Sequence, residues 1–118
     1  MKEIKFRVWD KYDNEMKYDA QDTYDYIVNN IMEDCFGDVL KSERYEVMQY
    51  IGIKDKNGKE IYEGDILLDD ETNTPLKVYF NENDAKFAIS NEPQFPMEWL
   101  QDLEILGNIY ENPELLGE

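Results

Sequence analysis

Histidine is absent from this sequence, and cysteine occurs once among its 118 residues. Without histidine, the chain lacks the usual general base near neutral pH, the commonest metal ligand and every Ser–His or Cys–His nucleophile pair. Because Cys35 is the single cysteine, no intrachain disulfide can form. We therefore expect a fold that needs neither zinc nor a disulfide, with Cys35 as a buried structural thiol.

Basic residues are also scarce, since 12 lysines and arginines face 28 aspartates and glutamates, for a net charge of −16. A surface of this charge repels nucleic-acid phosphates and anionic lipid headgroups. The sequence thus predicts no direct nucleic-acid binding and no membrane docking. The simplest role of the charge is to keep the protein in solution.

Long apolar runs are missing as well. Charged residues interrupt the apolar ones throughout Met1–Asp10, so we expect no signal-peptide apolar region there. No stretch approaches the ~20 apolar residues that a membrane-spanning helix requires. Together with the single cysteine, these features favour the reducing environment of a cytoplasm.

Enough apolar material remains for a packed core, because hydrophobic residues make up 42% of the chain and aromatic residues 14%. The length fits one domain of ~100–150 residues. Alternating apolar residues predict a strand at Ile4–Val8, and a short return strand at Met16–Tyr18 follows a polar turn. The chain is therefore expected to begin with a strand pair.

An amphipathic helix is predicted next, from an apolar stripe with the 3.6-residue period that we expect to face the core. Asp22 and Thr23 are candidate N-caps, and Gly37 is a natural residue to end the helix. A strand pair is the alternative, because Asn29 and Asn30 lower the helix propensity. The stripe consists of Tyr24, Ile27, Val28, Ile31, Met32, Cys35 and Phe36.

The strongest local signal is the Asn57-Gly58 dipeptide between two alternating apolar segments. Asn-Gly is the preferred two-residue loop of a hairpin, since a type I′ turn needs a positive φ at both central residues. We predict such a loop between strands at residues 46–55 and 60–68, with a positive φ at Gly58. In this register Ile53 pairs with Tyr62.

Gly64 and Asp65 interrupt the second of these strands, which predicts a bulge or a sharp bend. In a small β-barrel, such a bend lets one long strand serve two sheets. We therefore assign Asn57, Gly58, Gly64 and Asp65 to structural turns. The segments 76–80, 87–89 and 103–110 predict further strands, and residues 95–100 predict one helical turn.

These elements predict an α+β fold of mainly antiparallel β structure. It consists of a small, partly open, barrel-like sheet, an N-terminal strand pair and one amphipathic helix. We expect a single domain over residues 1–118. Within it, residues 1–45 form a strand–helix layer, residues 46–112 form the barrel-like part, and residues 113–118 form a polar, frayed tail.

A family resemblance is carried by three segments, which are Ile4–Asp10, Met48–Leu67 and Ile105–Leu116. In this order they resemble the YopX family, small proteins carried by bacteriophages and prophages of Gram-positive bacteria, and the middle segment is the most specific. The resemblance implies a predominantly β fold and a phage or prophage origin. With that origin, the cytoplasm expected from the residues is that of the host bacterium. The resemblance implies no activity and no catalytic residues, because the family has no established biochemical function.

Carboxylates are plentiful, but no pattern of a catalytic or metal site emerges from them. The run Asp69–Glu71 is of a kind that chance alone produces in so acidic a chain. A calcium-binding loop needs glycine at its sixth position, whereas Asp55–Gly58 has it at the fourth. We therefore predict no catalytic residues, no metal site and no cofactor.

Three functional hypotheses remain. The first is a non-enzymatic phage or prophage accessory protein that binds a protein partner, either another protein or a second copy of this chain. The second is an acidic decoy that mimics DNA and inhibits a host DNA-binding protein, because carboxylates can stand where DNA presents phosphates. The third is an enzyme that uses paired carboxylates. We expect the first, since the equipment for catalysis is missing from the sequence.

Overall fold

The computed structural model describes residues 4–21, 43–90 and 96–116. The chain forms two compact units, residues 1–49 and residues 50–118. They divide a few residues after the predicted boundary between residues 45 and 46. The predicted amphipathic helix, with Cys35, its candidate caps Asp22 and Thr23, and Gly37, lies outside the described residues.

Three antiparallel strands build the first unit. They are β1 (Phe6–Asp10), β2 (Glu15–Lys17) and the first half of β3 (Tyr45–Lys54). β1 lies between the other two, with its Val8 opposite Lys17 of β2 and Val47 of β3. Val8 is 1% exposed and packs with Ala20 and Tyr45 in a small core. β1 and β2 are the strand pair that the sequence predicts.

The second unit contains the end of β3, which pairs with the short strand β4, and a sheet in the order β7-β6-β5-β8. Every strand pairing in the described part of the chain is antiparallel. The fold is thus mainly antiparallel β structure with a curled half-barrel sheet. The strands are β4 (Glu60–Tyr62), β5 (Asp65–Asp69), β6 (Thr74–Asn81), β7 (Lys86–Ile89) and β8 (Glu104–Asn108).

The core of the second unit is aliphatic and takes residues from several strands and one short helix. The period of two along a strand places Leu76 and Val78 of β6 on the same face. Leu100, from the 3-10 helix Met97–Asp102, is fully buried against this face. The buried members are Ile51, Ile61, Leu67, Leu76, Val78, Ile89 and Leu100.

The second 3-10 helix, Pro113–Leu116, lies where the sequence predicts a frayed tail. That prediction is wrong for these four residues. The Leu115 N–H donates to the Asn112 carbonyl at 3.1 Å, and Leu115 and Leu116 are half-buried. The two leucines give this segment apolar surface to pack, which a polar tail would not have.

The Asn57-Gly58 hairpin has a three-residue loop rather than the predicted two-residue loop. Gly58 has the predicted positive φ, at 83°, but Asn57 does not. The Asp55 N–H donates to the Lys59 carbonyl at 2.8 Å, and the Gly58 N–H donates to the Asp55 carbonyl at 3.0 Å. This is a type I turn followed by a left-handed glycine. Near the loop, β3 and β4 therefore pair one residue away from the predicted register.

Glu63 and Gly64 form a sharp turn between β4 and β5, where the sequence predicts a bulge or a bend. Asp65, which the sequence assigns to this turn, is instead the first residue of β5. Gly64 has a φ of 86°, in the left-handed region that favours glycine. Its N–H donates to the Val78 carbonyl at 2.8 Å, and its carbonyl accepts from the Ile109 N–H at 2.9 Å. Asp65 is 2% exposed, and its Oδ2 accepts the Tyr62 N–H at 2.8 Å. Hydrogen bonds to β6 on one side and to the residue after β8 on the other therefore hold the turn.

Three further hairpin loops share one arrangement. Each has four residues, and the side chain of the residue before it accepts at least one backbone N–H of the loop. Each ends on a left-handed residue. The accepting residues are Asp10, Asp69 and Asn81, and the left-handed residues are Asn14, Asn73 and Ala85.

Candidate interaction surface

Asp55 is the centre of the hairpin that the sequence singles out. Its side chain is buried, with the residue 5% exposed. Oδ1 accepts the N–H groups of Asn57 and Lys59, both at 2.9 Å, and Oδ2 accepts the N–H of Ile105 in β8 at 3.0 Å. Burial alone would raise the pKa of Asp55, but the three N–H groups and the nearby Lys59 charge outweigh it and lower the pKa. The carboxylate is therefore a structural anchor.

The residues around Asp55 explain why the three-residue loop forms. Through one oxygen, the Asp55 carboxylate accepts the N–H of Asn57 within the loop and the N–H of Lys59 directly after it. These bonds close the loop from inside, which competes with the local type I′ preference of Asn-Gly. The Lys56 N–H also donates to the Leu103 carbonyl at 2.9 Å. The hairpin is thus fastened at two points, to Leu103 just before β8 and to Ile105 within β8, and both points depend on the observed register.

The segment Ile105–Leu116, the last of the three that carry the family resemblance, also has side chains that hold a turn. The Oδ1 atom of Asn108 accepts the N–H groups of Tyr110 and Glu111, at 3.0 and 2.9 Å. The Asn112 N–H returns to the Asn108 carbonyl at 2.8 Å. A side chain at Gly107 would collide with the side chain of Asn112. The turn after β8 therefore requires these residue types for packing and hydrogen bonding.

The first unit holds a buried carboxylate of a different kind. Asp10 is fully buried, and Arg44 donates to it from two nitrogens, Nε to Oδ1 at 2.9 Å and Nη2 to Oδ2 at 2.8 Å. Lys17 Nζ donates to Oδ2 at 3.0 Å. The N–H groups of Tyr12 and Asp13 donate to Oδ1 at 3.0 and 3.3 Å. The carboxylate thus begins a hairpin loop and is an ion-pair centre as well.

The electrostatics of Asp10 follow from these partners. Burial alone would raise its pKa, but the hydrogen bonds from Arg44, Lys17 and the two backbone N–H groups outweigh burial and place the pKa far below the usual range. The hydrogen bond to Asp10 raises the pKa of Arg44 in turn. The Arg44 guanidinium carbon lies 5.0 and 5.2 Å from the ring centroids of Tyr12 and Tyr45. Every group here stabilises the charged pair, as a structural site requires.

Among the described residues of the second unit, Trp99 is the most exposed large apolar side chain. It is 56% exposed, although its neighbour Leu100 is fully buried in the core. Both belong to the 3-10 helix, which the Trp99 N–H helps to start by donating to the Pro96 carbonyl at 3.0 Å. The helix therefore fixes the indole on a short, anchored element.

Trp99 lines a pocket of ≈560 Å³ together with acidic side chains. We call it the tryptophan pocket. One wall is the loop between β5 and β6, in which Asp69 accepts the Glu71 N–H at 3.0 Å. The other wall is the 3-10 helix and the residue after it. The pocket is lined by Asp69, Asp70, Glu71, Thr72, Trp99, Asp102 and Leu103.

This surface brings together residues that sequence reasoning kept apart. The sequence alone attributes the run Asp69–Glu71 to chance and predicts for Trp99 only a place in a helical turn. A usable signal is the Trp99-Leu100 pair within that turn, because two adjacent large apolar residues cannot both point into one core from a short helix. The acidic loop beside the indole could not be inferred, since it depends on how β5 and β6 pack against the helix.

A second pocket, of ≈610 Å³, lies on the same unit and carries both signs of charge. Lys54, Lys56, Glu98 and Asp102 line it, with polar and apolar neighbours from β3. Lysine and carboxylate side chains both line it, so it offers no single ligand chemistry. It is a weaker candidate than the tryptophan pocket.

In the described ranges, no group of three or more acidic, cysteine or histidine side chains is arranged to hold a metal ion. Over the same ranges, no helix has the length and apolar character needed to cross a membrane.

Among curated proteins, none matches this chain. Among solved structures, the crystal structure of protein EF1440 from Enterococcus faecalis is similar, with a TM-score of 0.69 and 27% identity over 98% of this chain and 99% of that chain. The YopX protein family model matches residues 5–117, nearly the whole sequence, which confirms the resemblance of the three segments. The chain therefore belongs to the YopX family.

Proposed function

We propose that this protein is a non-enzymatic accessory protein of a phage or prophage that acts in the host bacterial cytoplasm by binding a protein partner. The observation that carries the proposal is the exposed Trp99 in the tryptophan pocket. Large aromatic side chains fixed on rigid elements are the usual anchors of protein interfaces. Leu100 beside it is fully buried and anchors the short helix that carries the indole, so little backbone freedom is lost on binding.

The chemistry of the pocket selects a cationic partner segment. Asp70, Glu71 and Asp102 are exposed around the indole. A lysine or arginine side chain could lie on the indole face and reach these carboxylates with its charged end. Cation–π contacts of this kind are worth about 0.5–2 kcal/mol each. The pocket thus favours a basic protein surface.

The three buried carboxylates among the described residues favour structure over catalysis. Asp10 is held by two cations, and Asp55 and Asp65 accept backbone N–H groups. A carboxylate whose pKa is lowered is a poor general acid near neutral pH, and the pKa values of Asp10 and Asp55 are both lowered. These observations weigh against the hypothesis of an enzyme that uses paired carboxylates.

Affinity capture from a Gram-positive host lysate, with wild-type protein and Trp99→Ala as baits, tests the proposal. We expect a partner that the wild-type protein retains and the variant loses. Phe80→Ala is the control, because Phe80 is another exposed aromatic residue of the second unit and lies outside the pocket. Titration of the purified partner should then give a Kd at least about tenfold weaker for Trp99→Ala. Equal binding by Trp99→Ala and wild type would overturn the proposal.

An acidic decoy that mimics DNA is the second candidate, favoured by the carboxylates gathered at the same pocket. It differs from the first in one measurable respect, since duplex DNA must compete with the protein for the partner. The double variant Asp70→Asn with Glu71→Gln should bind such a partner more weakly, and the binding should depend less on the salt concentration. The matched control is Glu82→Gln with Glu114→Gln, which removes the same charge from exposed positions elsewhere. A partner that does not bind DNA excludes the decoy and leaves the first proposal standing.

A further inference from the structure

Asn57 is the single asparagine in this sequence that is followed by glycine. Both residues are exposed at the tip of the β3–β4 hairpin, and the space around Gly58 is open. Glycine after asparagine permits attack by the backbone nitrogen on the asparagine side chain, because no Cβ hinders the approach. We propose that Asn57 is a site of spontaneous deamidation. The closed hairpin protects its side chain, so that the reaction takes place only after the hairpin has opened.

The reaction needs only water as a co-reactant. The backbone nitrogen of Gly58 loses its proton and bonds to Cγ of Asn57. The bond from Cγ to Nδ2 breaks, and the nitrogen leaves as ammonia. Water then opens the resulting five-membered succinimide at either carbonyl carbon. The products are aspartate or isoaspartate at position 57, each with one new carboxylate.

In the closed hairpin, the groups that must move in this reaction are all engaged in hydrogen bonds. The Gly58 nitrogen, which is the nucleophile, donates its hydrogen to the Asp55 carbonyl at 3.0 Å. The Asn57 N–H donates to Asp55 Oδ1 at 2.9 Å, and Asn57 Nδ2 donates to Glu104 Oε2 at 3.4 Å. Turning the Gly58 nitrogen towards Cγ breaks the first of these bonds and strains the second. Ring closure therefore waits for the loop to open.

The product should not close the hairpin as well as asparagine does. An aspartate at position 57 places a carboxylate against Glu104, where the amide of Asn57 donates a hydrogen bond. Isoaspartate lengthens the loop backbone by one carbon, and the Asp55 carboxylate then no longer meets both loop N–H groups. Since the loop is fastened to β8 through Asp55 and Ile105, the modification loosens that connection. The step cannot reverse, so opening of the hairpin is recorded in the covalent structure.

The experiment compares deamidation rates at Asn57 by peptide mapping and mass spectrometry, at neutral to mildly alkaline pH. The samples are the full-length protein, the same protein in denaturant, and a synthetic peptide of residues 54–60. We expect the folded protein to react at least about tenfold more slowly than the peptide, because opening must break several hydrogen bonds. The denatured protein should match the peptide. A folded protein that reacts as fast as the peptide would overturn the proposal.

Two variants test whether the hairpin contacts cause the protection. Glu104→Ala removes one contact of the Asn57 side chain and should speed the reaction by about two- to tenfold. Glu114→Ala is the matched control, because Glu114 is exposed and outside the hairpin, and it should leave the rate unchanged. Asp55→Ala should speed the reaction more than Glu104→Ala, and loss of folding in that variant leaves Glu104→Ala as the deciding measurement. Equal rates for Glu104→Ala and wild type would contradict the assigned protection.

Discussion

Asp10 in the first unit and Asp55 in the second are both buried carboxylates at the start of a hairpin loop, but their partners differ. Asp10 accepts from two loop N–H groups and from the side chains of Arg44 and Lys17. Asp55 accepts from three backbone N–H groups, of which one belongs to a distant strand. The first unit therefore balances its buried charge with cations, and the second balances it with backbone dipoles.

The composition of the chain gives this difference a physical meaning. With 12 basic residues for 28 acidic ones, most carboxylates cannot have a cationic partner. Backbone N–H groups carry partial positive charge and do not depend on composition. A very acidic protein can thus bury a carboxylate by turning N–H groups towards it, as the Asp55 hairpin does. Asp10 uses the stronger and more composition-dependent solution.

Replacing each aspartate with asparagine should give the largest effect and separate the two cases. Asp10→Asn places an amide N–H against the Lys17 and Arg44 donors, and we expect it to lower the free energy of unfolding by about 2–3 kcal/mol. The expected loss is at or below the low end of the range for a broken buried ion pair, because solvent reaches the Arg44 side chain, which is 34% exposed. Asp55→Asn loses one charge-assisted bond, to Ile105, and should cost about 1–2 kcal/mol.

The two tryptophans allow the measurement to be made separately in each unit. Trp9 lies in the first unit and Trp99 in the second, so denaturation followed by fluorescence in Trp99→Phe and Trp9→Phe backgrounds reports each one. We expect the Asp10 variant to shift the Trp9 transition and the Asp55 variant to shift the Trp99 transition. A larger loss for Asp55→Asn than for Asp10→Asn would contradict the proposed difference between cations and dipoles.

Acid should weaken both units through the same two carboxylates. Both pKa values lie below the usual carboxyl value of 3.8 in the folded protein. Each ionised group therefore stabilises the fold above that pH, and its contribution is lost as the pH falls through the folded pKa. The denaturant concentration at the unfolding midpoint of the wild type should decrease as the pH is lowered from about 5 to about 2. In Asp10→Asn and Asp55→Asn this decrease should be smaller. A wild-type midpoint that rises over this range would contradict the prediction.

The smallest predicted effect concerns the four-residue hairpin loops, which occur in both units. Their last residue is left-handed, and it is asparagine in two loops but alanine at position 85, with a φ of 53°. Alanine pays a steric penalty there that asparagine largely avoids. Ala85→Asn should therefore raise the free energy of unfolding by about 0.5–1 kcal/mol, and Asn73→Ala should lower it similarly. Urea denaturation of the pair provides the check, and a destabilising Ala85→Asn would mean that another contact at that loop dominates.

Several elements could be predicted because their cause is local. Alternation of apolar residues is enough to indicate β1, β2 and β6, since the side-chain period of a strand follows from its backbone. The positive φ at Gly58 follows from the preference of glycine after asparagine in hairpin loops. The family resemblance rests on short segments read directly from the chain, and the family model over residues 5–117 confirms it. In each case the responsible residues are neighbours in sequence.

Other features could not be predicted because their cause lies in residues far apart in sequence. The local preference of Asn-Gly indicates a two-residue loop, but the Asp55 carboxylate accepts the Ile105 N–H, and this contact across 50 residues favours the three-residue loop. The segment 113–116 is helical rather than frayed because its leucines find surface to pack against. Likewise, the tryptophan pocket exists because the β5–β6 loop lies beside the 3-10 helix.

The amino-acid sequence by itself thus determined the absence of histidine, the acidic balance, the strand-rich character and the family. Those properties depend on composition and on neighbouring residues. The hairpin register, the partners of Asp10 and Asp55 and the surface around Trp99 were settled by folding. They depend on which backbone N–H groups, cations and apolar faces meet when distant segments pack, and hydrogen bonds between such segments can outweigh the ~1 kcal/mol preference of a local turn.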